Sequence, residues 1–281
     1  SVRDLLIGSP VKDLDLVVEG DASVLAFEAA KRLSGEVVSY QQFGTATLKV
    51  GAQRLDLATA RTEMYPHPGA LPVVTPSTIH EDLGRRDFTI NAIAVRLSGP
   101  QAGEVLDPFG GRGDLEHGLV RVLHDRSFVD DSTRILRAVR YEQRLGFRLE
   151  ETTEGLLRQA LEAGMLDTVS GDRVRRELAL IFQESQPLRA LRRMAGLGVL
   201  AAIYPPLAEA TLPEGEAQPS GPLVYLGLLS YHLAPEQAEG LIHRLNMPSA
   251  WAKVVRDTVQ VRQREGELAR PGLSNAALWE L

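Results

Sequence analysis

The spacing of apolar residues changes near Asp130, and that change limits the fold more than any single motif. Before it, Glu36–Tyr40, Thr45–Val50 and Arg54–Ala58 are short runs rich in strand-forming residues and bounded by turns. Ser1–Ile7 and Ala22–Leu33 read as helices, the second capped by Asp21 and stopped by Gly35. Thr62–Ser77, with Pro66, Pro68, Gly69, Pro72 and Pro76, reads as a long loop, and Thr78-Ile79-His80-Glu81 fits a capping box. Further strands are expected at Ala94–Leu97 and Glu104–Leu106, and a turn at Asp107-Pro108-Phe109-Gly110-Gly111. After Asp130 the segments become helical: Asp131–Leu145, Glu151–Glu162, Asp172–Glu184, Pro187–Ala195, Leu223–His232, Pro235–Leu245 and Ser249–Gln263, with Thr211–Gly221 as a loop or linker. The expected fold class is α+β, a mixed sheet with helices followed by an all-helical remainder. A length of 281 residues favours two or more compact units.

Composition removes several function classes. With no cysteine there are no disulfides, thiolate metal sites or cysteine nucleophiles, which fits the cytoplasm. No run of about 18 apolar residues marks a membrane span, and no signal peptide opens the chain. The net charge of −6 excludes a generally basic nucleic-acid coat. The chain begins at Ser1 without Met and stops at Leu281 inside a helical pattern, so it reads as a fragment at both ends.

Two carboxylates lie in the first apolar run, Lys12-Asp13-Leu14-Asp15-Leu16-Val17-Val18. On a strand, Asp13 and Asp15 share one face while Leu14 and Leu16 turn to the core. Like charges about 6–7 Å apart are costly unless a cation lies between them. A hard divalent ion such as Mg²⁺ takes such ligands; the plainer reading is an edge strand with a solvated polar face. Asp56, between Leu55 and Leu57, is a third carboxylate in an apolar run and a candidate to complete the metal site or act as base.

Arginines form the second feature. Arg134, Arg137, Arg140 and Arg144 fall within about a third of a helix circumference, with Glu142 pointing elsewhere. A stripe without acids suggests an anion, a triphosphate or a nucleic-acid backbone; the alternative is a solvated face. Arg85-Arg86-Asp87 by itself reads as a helix start capped by Asp87 or Thr89. His124-Asp125, His67 and His80 make no ligand spacing, and no P-loop, Gly-x-Gly-x-x-Gly or Gly-x-Ser-x-Gly occurs.

Taken in order, Ser1–Asp4, Lys12–Asp15, Arg85–Ala92, Asp107–Gly111 with Asp114-Leu115, and Asp130–Arg140 resemble the motifs of class II tRNA nucleotidyltransferases, the family of CCA-adding enzymes and bacterial poly(A) polymerases. The resemblance spans about residues 1–195. It implies a catalytic nucleotidyltransferase head over 1–129, a helical neck over 130–195, and a body with the start of a tail over 196–281. It implies Mg²⁺ on Asp13 and Asp15 and nucleotide contacts from Arg3 and Arg86. It places Asp131, Arg134, Arg137 and Arg140 in the neck, reading the base and holding phosphates. Asp172–Leu178 resembles a further motif that shores up the neck. The family's Gly-Gly before the position of Ser1 is missing, and Asp130-Asp131 replaces the usual Glu-Asp.

The implied activity is addition or repair of the 3′-terminal CCA of tRNA from CTP and ATP without a nucleic-acid template. The rivals are A-only or CC-only addition, poly(A) synthesis, and an inactive RNA-binding relative. CC-only members of the family tend to lack the loop that Thr62–Ser77 supplies here. Neither a membrane nor a protein partner is implied.

Overall fold

The structure, a computed structural model, describes residues 2–11, 14–40, 44–215 and 221–268. Its contacts divide the chain into two compact units, residues 1–130 with 148–153, and residues 131–147 with 154–281.

In the first unit α1 (Val2–Leu6) precedes β1 (Leu14–Val18), and α2 (Ala22–Leu33) precedes β2 (Glu36–Tyr40), β3 (Thr45–Val50) and β4 (Gln53–Thr59). The four strands form one sheet in the order β1-β4-β3-β2, with β1 parallel to β4 and the other pairs antiparallel. Asp21 starts α2 by accepting from the backbone of Ser23 and Val24 at 2.8 and 3.1 Å. The small residues Ala22, Ala26 and Ala30 then lie on Ala46, Leu48 and Leu57, with Leu16, Val18, Val37 and Leu55 around them. The left-handed residue that ends α2 is Ser34, at φ 52°. Gly35 serves a different need, since a Cβ there would stand 2.7 Å from the Lys49 carbonyl.

Two expectations change here. Leu14 is 51% exposed rather than in the core, because it opens an edge strand. Residues 62–77 are not a structureless loop: β5 (Arg61–Met64) pairs antiparallel with β6 (Val73–Pro76), Thr62 opposite Thr75 and Glu63 opposite Val74. Val73, Val74 and Thr75 favour extended backbone, and Pro76 sits at the end of an isolated ribbon where a missing N–H costs no ladder bond.

The rest of this unit comprises α3 (Ile79–Gly84), β7 (Ala94–Val95), β8 (Val105–Leu106), α4 (Gly111–His117), β9 (Leu119–Val120), α5 (Ser127–Asp130) and β10 (Arg148–Leu149). Thr78 caps α3 by accepting from the Glu81 backbone, and the Glu81 carboxylate accepts from the Ser77 hydroxyl. The Asp107 carboxylate accepts from the backbone of Gly111 and Arg112 at 2.7 and 2.9 Å, so the turn expected there launches a helix.

The second unit is helical: α6 (Thr133–Leu145), α7 (Glu151–Glu162), α8 (Gly171–Phe182), α9 (Pro187–Leu197), α10 (Val199–Ile203), α11 (Pro222–Ser230), α12 (Pro235–Arg244), α13 (Ser249–Gln263) and α14 (Glu265–Leu268). Helix α6 packs on α8 and α9 through Ile135, Leu136, Ala138 and Val139, all fully buried. Phe182 stacks with Tyr225 and Trp251, joining α8 to α11 and α13. The N-terminus of α8 is fastened to the end of α12, where a Cβ on Gly171 would collide with the Arg244 carbonyl and Arg175 donates to the Leu245 carbonyl at 2.7 Å. Among the described residues no helix is long and apolar enough to cross a membrane.

Candidate active site

Helix α2 covers one face of the four-stranded sheet, and the pairing register fixes what stands on the other. Asp15 of β1 is the partner of Asp56 in β4, Asp56 of Thr47 in β3, and Thr47 of Val38 in β2. Side chains of directly paired residues share a face. Asp15 and Asp56 thus stand side by side on adjacent strands, away from the α2 core. Asp13, expected beside them, lies outside the described residues. The Thr47 hydroxyl donates to Asp56 Oδ1 at 2.6 Å, and Arg54 donates to the same oxygen at 3.1 and 3.2 Å. Partial burial pushes the Asp56 carboxyl upward, but these donors outweigh it and hold the group below its ordinary value. A carboxylate held low is a weak proton acceptor, so this setting suits the ligand part of the expectation for Asp56 better than the base part. Two oxygen-bearing side chains on one face fit the chemistry of a hard divalent cation; among the described residues no group of three acidic or histidine side chains is assembled.

The segment 85–91 is not a helix start. Helix α3 ends before Arg85, and residues Thr89–Asn91 form a single 3₁₀ turn. Asp87 accepts from the Phe88 backbone and the Asn91 amide, both at 2.9 Å. Asn91 in turn accepts from Arg3 at 2.6 Å, while Arg3 also donates to Asp4 at 2.6 and 2.9 Å. The Arg3 side chain is 10% exposed and its guanidinium is largely committed to these protein oxygens. Arg86 is more open, 30% exposed, and donates to Asp82 at 3.1 Å. The turn is braced from behind: the Thr89 hydroxyl donates to Asp114 at 2.6 Å, and a Cβ on Gly111 would collide with the Thr89 carbonyl.

In the second unit Asp131 precedes α6 rather than lying within it. Its Oδ1 accepts from the Thr133 backbone at 3.0 Å, the Thr133 hydroxyl at 2.7 Å and Arg173 at 2.8 Å. Arg134 and Arg140 are buried. The arginine stripe is not bare of acids, as its own helix suggested, because α8 supplies them. Glu177 lies 3.6 Å from Arg137 and 3.3 Å from Arg140. Glu184, just beyond α8, lies 3.6 Å from both Arg140 and Arg144. Glu142, on the other side of α6, is buried and accepts from Arg193 at 2.8 and 3.0 Å.

Sequence reasoning missed Asp82 and Glu63. Asp82 is a fully buried carboxylate taking bonds from Arg85 and Arg86. The spacing of three and four residues to Arg85 and Arg86 carried that signal.

Two family models match the chain. One, described as the Poly A polymerase head domain, matches residues 1–121. The other, described as a probable RNA and SrmB-binding site of polymerase A, matches residues 146–211. An A-adding tRNA nucleotidyltransferase of Geobacter sulfurreducens is 46% identical over 207 residues, 73% of this chain and 24% of the relative. One of Halalkalibacterium halodurans is 44% identical over 72% of this chain and 48% of the relative. A CC-adding enzyme of Deinococcus radiodurans is 43% identical over 70% and 52%. The chain therefore spans between about a quarter and about half of the length of these curated relatives. Among solved structures, a CCA-adding enzyme in an apo form superposes with a TM-score of 0.83 at 36% identity, covering 99% of this chain and 72% of that one. A tRNA nucleotidyltransferase complexed with a primer tRNA and an incoming ATP analogue superposes at 0.79 with 32% identity, covering 99% and 84%.

Proposed function

Because this chain belongs to the tRNA nucleotidyltransferase family, we propose that it transfers nucleotidyl groups from nucleoside triphosphates to the 3′ end of tRNA, and that the terminal A is within its repertoire. The observation that carries the proposal is the pairing of Asp15 with Asp56 on the uncovered face of the head sheet. In the reaction the 3′-hydroxyl gives up its proton to solvent as its oxygen bonds to the α-phosphorus, the bond from that phosphorus to the oxygen bridging to the β-phosphate breaks, and pyrophosphate leaves with that electron pair.

Asp13 and Asp15 would hold Mg²⁺, with Asp56 beside them, and the bound ion would supply charge neutralisation at the reacting phosphate. Thr47 and Arg54 keep Asp56 ionised and oriented. Arg86 is the more open of the two arginines expected to contact the nucleotide; Arg3, the other, also donates to Asn91, whose amide donates to Asp87 beside Arg86. In the second unit, Asp131 and Arg134 read the base, while Arg137 and Arg140 take phosphate oxygens.

Relatives named A-adding at 44–46% identity, together with the ribbon β5–β6, favour addition of A. Addition of the whole CCA from CTP and ATP is the second reading. It draws on structural neighbours titled CCA-adding enzymes, one of them complexed with CTP. The test is incubation of the protein with single nucleotides and tRNAs lacking the whole CCA, its last two residues, or only the A. A product one nucleotide longer, formed only from ATP on tRNA ending in CC, supports A addition. Extension of the shortest tRNA by CTP supports the second reading. No extension of any tRNA refutes both.

A further inference from the structure

Arg86 does not stand alone. Its Nη2 donates to Asp82 Oδ2 at 3.1 Å, while the other oxygen of Asp82 accepts from Arg85 at 2.7 and 3.0 Å and from the Arg61 backbone at 3.2 Å. Arg85 spans outward from there, its Nη1 donating to Glu63 Oε1 at 2.7 Å. Glu63 also accepts from Arg61 at 3.0 Å and, through Oε2, from the Tyr65 hydroxyl at 2.8 Å. The carboxylates are almost completely withdrawn from water, with side chains 1% exposed for Asp82 and 7% for Glu63. A buried carboxylate between two guanidiniums is a rigid joint, because breaking either contact leaves a charge without solvent.

The chain of contacts runs from Tyr65, where the ribbon β5–β6 leaves its ladder, to Arg86. Arg86 sits at the more exposed end, and its Nε is buried with no partner among the described residues. An anion arriving at Arg86 would give that nitrogen an acceptor.

We propose that Asp82 is a positioning residue: it holds Arg86 and, through Arg85 and Glu63, ties it to the ribbon, so that ribbon and nucleotide contact move as one body. The inference rests on the nucleotide-binding reading of Arg86 given above. A carboxylate that served only to fold the head would lower activity independently of Arg86. A positioning carboxylate acts through Arg86 and has no further effect once Arg86 is gone.

The experiment is a double-mutant cycle on ATP incorporation into tRNA ending in CC, with Asp82→Asn, Arg86→Ala and the pair, and with thermal unfolding recorded for each. Asp82→Asn keeps the shape and removes the charge. It is expected to lower kcat/KM for ATP about tenfold, mainly through KM. The pair is expected to fall within about twofold of Arg86→Ala alone. Losses that multiply, or an Asp82→Asn enzyme with unchanged kinetics, overturn the inference while leaving the proposed function intact. A wild-type protein that incorporates nothing from ATP overturns both. If Asp82→Asn does not fold, Glu63→Gln tests the other end of the same joint. A smaller rise in KM that vanishes beside Arg86→Ala is expected, and a rise that persists there overturns the inference.

Discussion

Replacement of Asp131 by Asn separates the structural duty of this carboxylate from the base-reading duty proposed for it. Oδ1 accepts from the Thr133 backbone, the Thr133 hydroxyl and Arg173. Oδ2 receives no hydrogen bond among the described residues. Three donors fix the orientation of an Asn here: its carbonyl must take the Oδ1 place, which puts its NH₂ where Oδ2 was. The bonds from Thr133 at the start of α6 survive, and the attraction of Arg173 for a full negative charge is lost. With side chains 19% and 21% exposed, and charge-assisted bonds about twice as strong as neutral ones, that loss is about 1 kcal/mol of stability. Under the proposed base-reading role, recognition suffers more. Cytosine and adenine present an exocyclic amine on the pairing edge; it would meet a donor in place of an acceptor, at a cost of about 1–3 kcal/mol. Every 1.4 kcal/mol is about a factor of ten, so use of ATP should fall by roughly five- to a hundred-and-fortyfold. Uracil and guanine, which carry a carbonyl at that position, should be used better than before. Single-nucleotide incorporation with ATP, CTP, UTP and GTP, alongside thermal unfolding, reads both effects. A variant of normal stability that still rejects UTP as the wild type does would show that Asp131 caps a helix and reads nothing.

Three other perturbations follow from buried contacts. Arg193→Met removes a charge partner from the buried Glu142 carboxylate, which keeps the Gln143 amide at 3.2 Å; because of that donor, and because Arg193 itself is 29% exposed and water can enter, denaturant unfolding should show a loss of about 2 kcal/mol, below the 3–5 of a sealed pair, and Glu142→Leu in the same chain should recover part of it. Gly111→Ala drives a Cβ onto the Thr89 carbonyl and should cost about 2 kcal/mol in the same assay while lowering incorporation, since the Thr89–Asn91 turn must shift. Burial raises the pKa of Glu150, but donors on Thr153 and Thr152 outweigh it, so its folded pKa lies below the model-compound 4.5; the stability it gives is present above that value and is lost as pH falls through the folded pKa. Glu150→Gln should therefore lower stability at neutral pH by about 1 kcal/mol and flatten the acid side of a Tm–pH profile.

Local patterning made the head sheet and the long helices legible. Strands at 36–40 and 45–50 and helices at 22–33, 151–162 and 249–263 follow from alternation, caps and stops that act within a few residues. The ribbon at 61–76 is hidden in the sequence because prolines are loop signals, whereas only Pro76 falls in a strand, and an isolated two-stranded ribbon has an unpaired side on each strand where a proline does no harm. Its support comes from Arg85, twenty-two residues from Glu63, a distance no local rule spans. Asp15 and Asp56 could each be singled out as carboxylates in apolar runs, but their register as partners on parallel strands is a tertiary fact. The α6 arginines were misjudged for a similar reason, since a helix read alone does not show the acids its neighbour brings.

That last point alters what the arginines can do. Glu177 and Glu184 do not abolish the positive face of α6; they organise it. Arg137 and Arg140 are held between Glu177 and the ring of Tyr141, over which their guanidinium carbons lie at 5.6 and 5.0 Å. A guanidinium already immobilised loses less side-chain entropy when it meets a phosphate, and each rotamer-rich side chain spared this cost retains about 0.5–1.5 kcal/mol of binding. The same glutamates reduce the attraction for anions in general. For a stripe built this way, the proposed phosphate-binding role predicts weak binding to any polyanion that merely passes and tighter binding to one whose oxygens match the fixed guanidiniums. This agrees with a chain that carries a net charge of −6 and yet sets four arginines along one side of a single helix.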